Sequence, residues 1–437
     1  MCRRDRRAID EVLHSEVFIP NRDRPPLPSE RNRVAAAPPE EVRVRRLLFP
    51  GLELNELRAR KASASEPLVA EMNSPPVVSV LITARDNETH IGIALASVLR
   101  QTLQAFEVLV VDDGSSDGTS RVAAAFRDSR IHIVRHDESA GISTRRNELV
   151  ARARAPYVAP LDADDAWLPQ RLECHIRLLE AQPEVVAVGS DAVVIDGERG
   201  VLRYFRLPRS DAAIRWTCLF ASPLIHSAST IRKAVFDEGV RYDPAFPLAQ
   251  DYDLWTQVLH RGGLRNMGVP LSLYRVHGAQ ATQRMAATQP AEQQQIARAA
   301  IEALAVPEVV GDRAGLAWSL GASAHVPDDQ LANAIDAYRR LFAHFESVHR
   351  EAPGIGEARR IAATTLLRRA GLYPDDRARE LWRAGWSLDR REPLAAGAVF
   401  VGNLRSKWRW RRTVERLLVE LEVESAQAVA SGCTTDS

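Results

Sequence analysis

From Val77 onward, short apolar runs rich in β-branched residues alternate with stretches whose apolar residues recur every three or four positions. That alternation is the pattern of βαβ units around a mainly parallel sheet flanked by helices. The runs predict strands over Val77–Thr83 (VVSVLIT), Phe106–Asp112 (FEVLVVD), Ile131–Arg135 (IHIVR) and Tyr157–Leu161 (YVAPL). The periodic stretches predict helices over Ile91–Leu99, Thr119–Phe126 and Ile142–Ala153. Beyond about Arg284 the strand signal fades, and helical spacing takes over in Asp329–Ser347, Gly356–Ala370, Arg377–Trp386 and Arg411–Val423. Residues 1–74 carry Pro25-Pro26, Pro38-Pro39, many arginines and few aromatics, a composition that buries too little apolar surface to fold. The expected organisation is therefore a largely disordered Pro/Arg-rich tail (1–74) with short helices such as Val42–Leu57, an α/β domain (75–284) and a helical C-terminal region (285–437).

Charge narrows the partners. The 437 residues carry 58 Lys+Arg against 57 Asp+Glu, a formal net charge of +1 that gives no general field for nucleic acid. Cys2, Cys174, Cys218 and Cys433 are far apart and form no C-x-x-C pair, which points to a reducing cytoplasm. The basic start, MCRRDRR, leads into Ala-Ile-Asp-Glu and not an apolar core, so no secretory signal is read. No apolar run is long enough to span a bilayer, and Leu394–Gly402 reads as a buried helix or turn. Lys407-Trp408-Arg409-Trp410-Arg411-Arg412 interleaves cations with tryptophans, which suits either peripheral contact with the inner face of a membrane or a helix packing its tryptophans on the core.

Ligands of such sheets bind at the carboxyl ends of the strands, and three of the four predicted ends carry polar clusters: Thr83–Asn87, Asp112–Asp117 and Asp162–Asp165. Asp162, Asp164 and Asp165 set three carboxylates in four residues, hard oxygen donors suited to Mg²⁺ or Mn²⁺ shared with substrate phosphates. An acidic turn with a capping Asp before a helix near Gln170 accounts equally well for that cluster alone. In the other acidic cluster, Asp112 and Asp113 could accept hydrogen bonds from a base or ribose while Gly114 and Gly118 let the backbone turn. A plain turn is the alternative there too.

The linked stretches PVVSVLITARDNETHIGIALASVLRQTLQAFEVLVVDDGSSDGT, AGISTRRN and YVAPLDADDAWLPQRL are similar to family-2 glycosyltransferases of the GT-A fold, in order and spacing, and the resemblance runs from about Pro76 to His277. It implies a mixed, mainly parallel sheet and an inverting, metal-dependent transfer of a sugar from a nucleotide diphosphate sugar, UDP-linked by family habit, onto an acceptor hydroxyl in polysaccharide or glycoconjugate synthesis. The acceptor is a glycan, lipid-linked or protein hydroxyl. Carried over residue by residue, Thr83 and Asp113 contact the nucleotide base, with Ala84, Asp86 and Asp112 in the same pocket. Arg146 lies over the base or phosphates, and its alternative is a solvated helix arginine. Asp162 and Asp164 belong to the nucleotide-sugar site, and Asp164 and Asp165, joined by His277 of the Tyr274-Arg275-Val276-His277 stretch, hold Mn²⁺ or Mg²⁺. His277 could otherwise be a packed or surface histidine. The sequence departs from the family at Asp86, usually Asn, and at Gln250-Asp251, where relatives have Glu-Asp.

Sugar transfer with inversion needs a base for the acceptor hydroxyl, and Asp251, ahead of Tyr252-Asp253-Leu254-Trp255, is the candidate. Its alternatives are an N-cap role for Asp251 or the base role passing to Asp253. A sugar nucleotidyltransferase would carry a Gly-rich phosphate loop after the first strand, and Ala84-Arg85-Asp86-Asn87-Glu88 has no glycine. A non-catalytic nucleotide-sugar binding module would not need Asp251. A dinucleotide oxidoreductase is disfavoured by the lack of G-x-G-x-x-G after that strand.

Overall fold

The computed structural model describes residues 75–196, 200–278, 288–373, 375–389, 411 and 413–431. The expected tail, the Val42–Leu57 helix, Leu394–Gly402 and most of the Lys407–Arg412 stretch lie outside the described residues.

The strands and helices run in the order β1 (Val78–Ala84), α1 (Ile91–Leu99), β2 (Phe106–Asp113), α2 (Thr119–Ala124), β3 (Ile131–His136), α3 (Ile142–Arg152), β4 (Tyr157–Asp162) and β5 (Ala166–Trp167). There follow α4 (Arg171–Ala181), β6 (Val185–Asp196), β7 (Val201–Phe205), α5 (Asp211–Cys218), β8 (Ser229–Arg232), α6 (Ala234–Asp237), α7 (Gln250–Val258) and β9 (Gly263–Val276). Among the described residues the elements after β9 are helices: α8 (Gln289–Ala303), α9 (Asp312–Gly321), α10 (Leu331–Val348), α11 (Ile355–Ala370), α12 (Asp376–Leu388) and α13, residues 413–431. The strands form one sheet in the order β3-β2-β1-β4-β8-β6-β9-β5, with β7 on β6. Pairing is parallel through β3-β2-β1-β4, antiparallel on both sides of β8, parallel between β6 and β9, and antiparallel at β5. This is the α/β class, with helices flanking a mixed sheet and a helical C-terminal region, that the sequence led us to expect.

Burial explains why β1 lies between β2 and β4. Its residues are buried on both faces, as a strand between two parallel neighbours requires. Val78, Val80 and Ile82 face one apolar cluster with α1 and with Val414, Leu418 and Leu421 of α13. Leu81, Leu109, Val111 and Val158 face the other, which holds α3, α5 and α7 and runs without a break into α8–α12. The helical region is docked there by aromatic contacts: the Trp216 ring of α5 meets Phe220 at 5.0 Å, Tyr338 at 5.4 Å, Phe342 at 4.9 Å and Phe345 at 5.3 Å, largely edge-on.

Register places the chemistry. Thr83 lies beside Val111 on one side and Asp162 on the other, so the carboxyl ends of β1, β2 and β4 line up at one edge. β5 pairs Ala166 with Leu273 and Trp167 with Ser272, which brings the end of β9, and with it His277, up to the Asp162–Asp165 turn. Residues 191–196, 201–205 and 211–218 form the end of β6, β7 and α5. Among the described residues no helix is long and apolar enough to cross a membrane.

Candidate active site

The loops after β1 and β2 are laced together. Asp86 takes up a left-handed backbone (φ 51°), which Asn and Asp tolerate better than other side chains, so the position suits either residue. Its Oδ1 accepts hydrogen bonds from the Ser116 amide (2.8 Å) and hydroxyl (3.0 Å), and its own amide donates to Ser115 Oγ (3.0 Å). Asp112, buried, accepts from the Ser115 amide (2.9 Å) and from the Ser120 hydroxyl. Gly114 is left-handed (φ +71°), and a Cβ there would stand 3.0 Å from the Ser139 amide nitrogen, so only glycine fits this turn without displacing the neighbouring backbone.

Asp113 is 3% exposed and has both oxygens doubly engaged: Oδ1 accepts from the Ala140 amide (2.8 Å) and Arg145 Nε (2.7 Å), and Oδ2 from Ser139 Oγ (2.6 Å) and the Gly141 amide (3.1 Å). Burial opposes its ionisation, but these donors together hold its carboxyl below the ordinary range. Asp113 thus ties the end of β2 to the start of α3, and a base N–H reaching it would have to displace one of these bonds. Beside it, Thr83 Oγ1 is buried with no hydrogen-bond partner, an orphan that a ligand could satisfy. Ala84 is buried and leaves the strand end flat.

The three acids after β4 are not equivalent. Asp162 Oδ1 accepts from Arg146 Nη2 at 2.5 Å and lies 3.5 Å from His226 Nδ1. Burial pushes its carboxyl up, yet the Arg146 guanidinium and His226 bring it well below the ordinary range. Asp164 Oδ2 lies 3.0 Å from His277 Nε2, and the Asp164 carbonyl accepts from Arg275 Nε at 2.8 Å. Asp165 is 1% exposed; Oδ1 accepts from the Arg275 amide (2.8 Å), and Oδ2 is buried with no hydrogen-bond partner. Burial, then Asp164, then Asp162 push the Asp165 carboxyl well above the ordinary range. An orphaned buried carboxylate oxygen beside a second carboxylate and a histidine suits a divalent cation, which would relieve that repulsion. Among the described residues no group of three or more His, Cys, Asp or Glu is placed to hold an ion by itself. The N-cap of α4 is Gln170 with no side-chain cap, so the cluster is not explained as helix capping.

A second cluster gathers around Asp251. This residue is the second of α7, whose N-cap is Ala249, so capping does not account for it. Burial raises its carboxyl, against the opposing charges of His226 and Arg146. Asp253 is turned away, accepting from Gln257 Nε2 at 2.7 Å on its own helix. Arg146 is buried, stands 5.6 Å from the Tyr242 ring centroid, and keeps Nη1 without a hydrogen-bond partner. It is therefore no solvated surface arginine. Asn147 clasps Tyr242 through its carbonyl (2.8 Å) and amide (3.0 Å), and His226 Nε2 meets the Tyr242 hydroxyl at 3.0 Å. Burial and then Arg146 lower the His226 imidazole, against the opposing pull of Asp162.

Of the expected residues, Thr83, Ala84, Asp86, Asp112 and Asp113 stand at the ends of β1 and β2, Asp164, Asp165 and His277 form one acidic group, and Arg146, Asp162 and Asp251 a second. The sequence reading missed His226, Tyr242 and His90, whose ring lies 4.9 Å from that of His277 and whose imidazole burial and then Arg275 lower to about 4. No local pattern marks these three, since only the fold brings them in.

Residues 79–240 match the model of the family described as glycosyl transferase family 2. Asp251 and His277 lie beyond the matched segment. The chain is similar to an uncharacterised glycosyltransferase of Haemophilus influenzae, 29% identical over 220 residues covering 48% of this chain and 68% of that protein. It is also similar to the UDP-Glc:alpha-D-GlcNAc-diphosphoundecaprenol beta-1,3-glucosyltransferase WfgD of Escherichia coli, 28% identical over 204 residues covering 46% and 77%. Among solved structures it resembles S. aureus TarS 1-349 in complex with UDP-GlcNAc, with 15% identity, coverage of 72% of this chain and 91% of that one, and a TM-score of 0.46.

Proposed function

We propose, from the match of residues 79–240 to glycosyl transferase family 2, that the chain transfers a sugar, with inversion, from a UDP-linked donor to a hydroxyl of a growing polysaccharide or lipid-linked glycan. The observation that carries this reading is the pairing of two acidic groups, one at the sheet edge and suited to a cation and a diphosphate, the other holding Asp251 of α7, a half-buried carboxylate near Arg146 and His226 whose proton affinity is raised.

Thr83 and Arg146, each with an unmatched buried polar atom, seat the nucleotide and its phosphates. Asp112, Asp113 and Asp86 fix the loops that form the walls. Asp164 and Asp165, with His277, would hold Mn²⁺ or Mg²⁺, which when bound offsets the charge of the departing nucleoside diphosphate. Asp251 takes the proton of the acceptor hydroxyl as its oxygen attacks the anomeric carbon. The resemblance to an enzyme named for a diphosphoundecaprenol acceptor supports a lipid-linked glycan as the acceptor class. The buried, free Cys174 and Cys218 suit a cytoplasmic site for the reaction, with peripheral contact at the inner membrane face.

A screen of nucleotide sugars in Mn²⁺ for binding and slow hydrolysis tests the reading. UDP-sugars should be turned over and excess chelator should stop it. Turnover unchanged by chelator would contradict the metal assignment, and binding without any turnover would favour a non-catalytic module.

A further inference from the structure

The helices after Thr288 lie outside the matched 79–240, yet the first of them reaches the site. In α8, Glu292 Oε2 accepts from the amides of Leu248 (2.9 Å) and Ala249 (3.0 Å), and Gln289 Nε2 donates to the Leu248 carbonyl (3.2 Å). Ala249 is the N-cap of α7 and has no side chain that could cap it. The first amides of a helix have no partner within it, and a carboxylate beside them is favoured by the helix dipole. Here the carboxylate comes from a helix more than forty residues further along the chain, whose Ile296, Ala297 and Ile301 are buried in the same apolar cluster as Leu254 and Trp255 of α7.

We infer that Glu292 is a positioning residue that seats the Leu248-Ala249 loop and, two residues on, Asp251, so that α8 is a working part of the transferase site. The inference rests on the reading of Asp251 as the base. Asp251 lies in the first turn of α7, where any shift of the loop carries its carboxylate away from the acceptor hydroxyl while leaving Thr83, Arg146, Asp164 and Asp165 in place. Glu292 should therefore act on the rate of transfer and not on donor binding.

The test measures kcat, donor KM and donor binding for the full chain with the nucleotide sugar that the screen identifies. Glu292→Ala should lower kcat about 10- to 100-fold, as a small misplacement of a reacting group does, with donor KM and affinity little changed. Glu292→Gln, whose amide oxygen can accept the same bonds, should recover most of the rate. In an Asp251→Asn background, Glu292→Ala should change the residual rate by less than about threefold, because both changes act through one group. Wild-type kcat for Glu292→Ala, an equal loss in both backgrounds, or no recovery with Gln would overturn the inference. Asp251→Asn alone reports on the base assignment, so its failure is seen apart from failure of the clamp. Should Glu292→Ala not fold, Gln289→Ala carries the test: a lower kcat at unchanged donor affinity supports the clamp, and an unchanged kcat overturns it.

Discussion

Asp251 and Asp253 are two residues apart, and sequence alone left the base role open between them. Their surroundings differ: Asp253 is bonded to Gln257, whereas the half-buried Asp251 stands within charge reach of Arg146, Asp162 and His226. A general base works deprotonated, so activity is lost as pH falls through its pKa. Because burial raises the Asp251 carboxyl, the acidic limb of the kcat profile should lie above the ordinary aspartate value of about 4. Asp251→Asn should remove that limb from whatever rate remains, and an unchanged limb would assign it to another group. Asp113 shows where residue-level reading stops. Its type and place marked it for the site, but the four donors that saturate it come from residues 139–145 and become visible only once α3 is folded back over β2.

At the level of elements, β1 to β4 and α1 to α3 were legible because each has a local signature, a β-branched run or three-to-four spacing, bounded by turn residues. β6 and β9 were not. Nearly all of β6 is buried, so it shows no alternation, and β9 contains Gly268 and Pro270 and meets β6 through shifts in register. Their strand character is fixed by partners far away in sequence. Of the C-terminal helices α10, α11, α12 and much of α13 were legible and α8 and α9 were not, and the docking was not legible either, since it depends on Trp216 of α5 meeting three rings of α10. Trp216→Ala should destabilise the protein by about 3–5 kcal/mol, the range for deleting a large buried aromatic. Thermal or denaturant unfolding would show it, with Trp382→Ala, an exposed tryptophan on α12, as the comparison. Equal shifts for the two would mean that the Trp216 cluster does not hold the helices to the sheet.

Across the whole molecule the sheet acts as a jig. Parallel pairing of β1, β2 and β4 aligns Thr83, the Asp112-Asp113 turn and the Asp162–Asp165 turn at one edge, and β5 draws in the end of β9 with His277. Asn147, through Tyr242, ties α3 to the segment ahead of α7, while α8 caps α7 from behind. The central claim is that this arrangement transfers a sugar with Asp251 as the base, and the most direct measurement compares turnover with donor binding in Asp251→Asn. Asparagine keeps the shape and removes the basicity, so kcat should fall by about 10²–10⁴-fold while donor affinity stays within a few-fold of wild type. Wild-type turnover in Asp251→Asn, with loss in Asp253→Asn, would contradict the account and move the base two residues along α7.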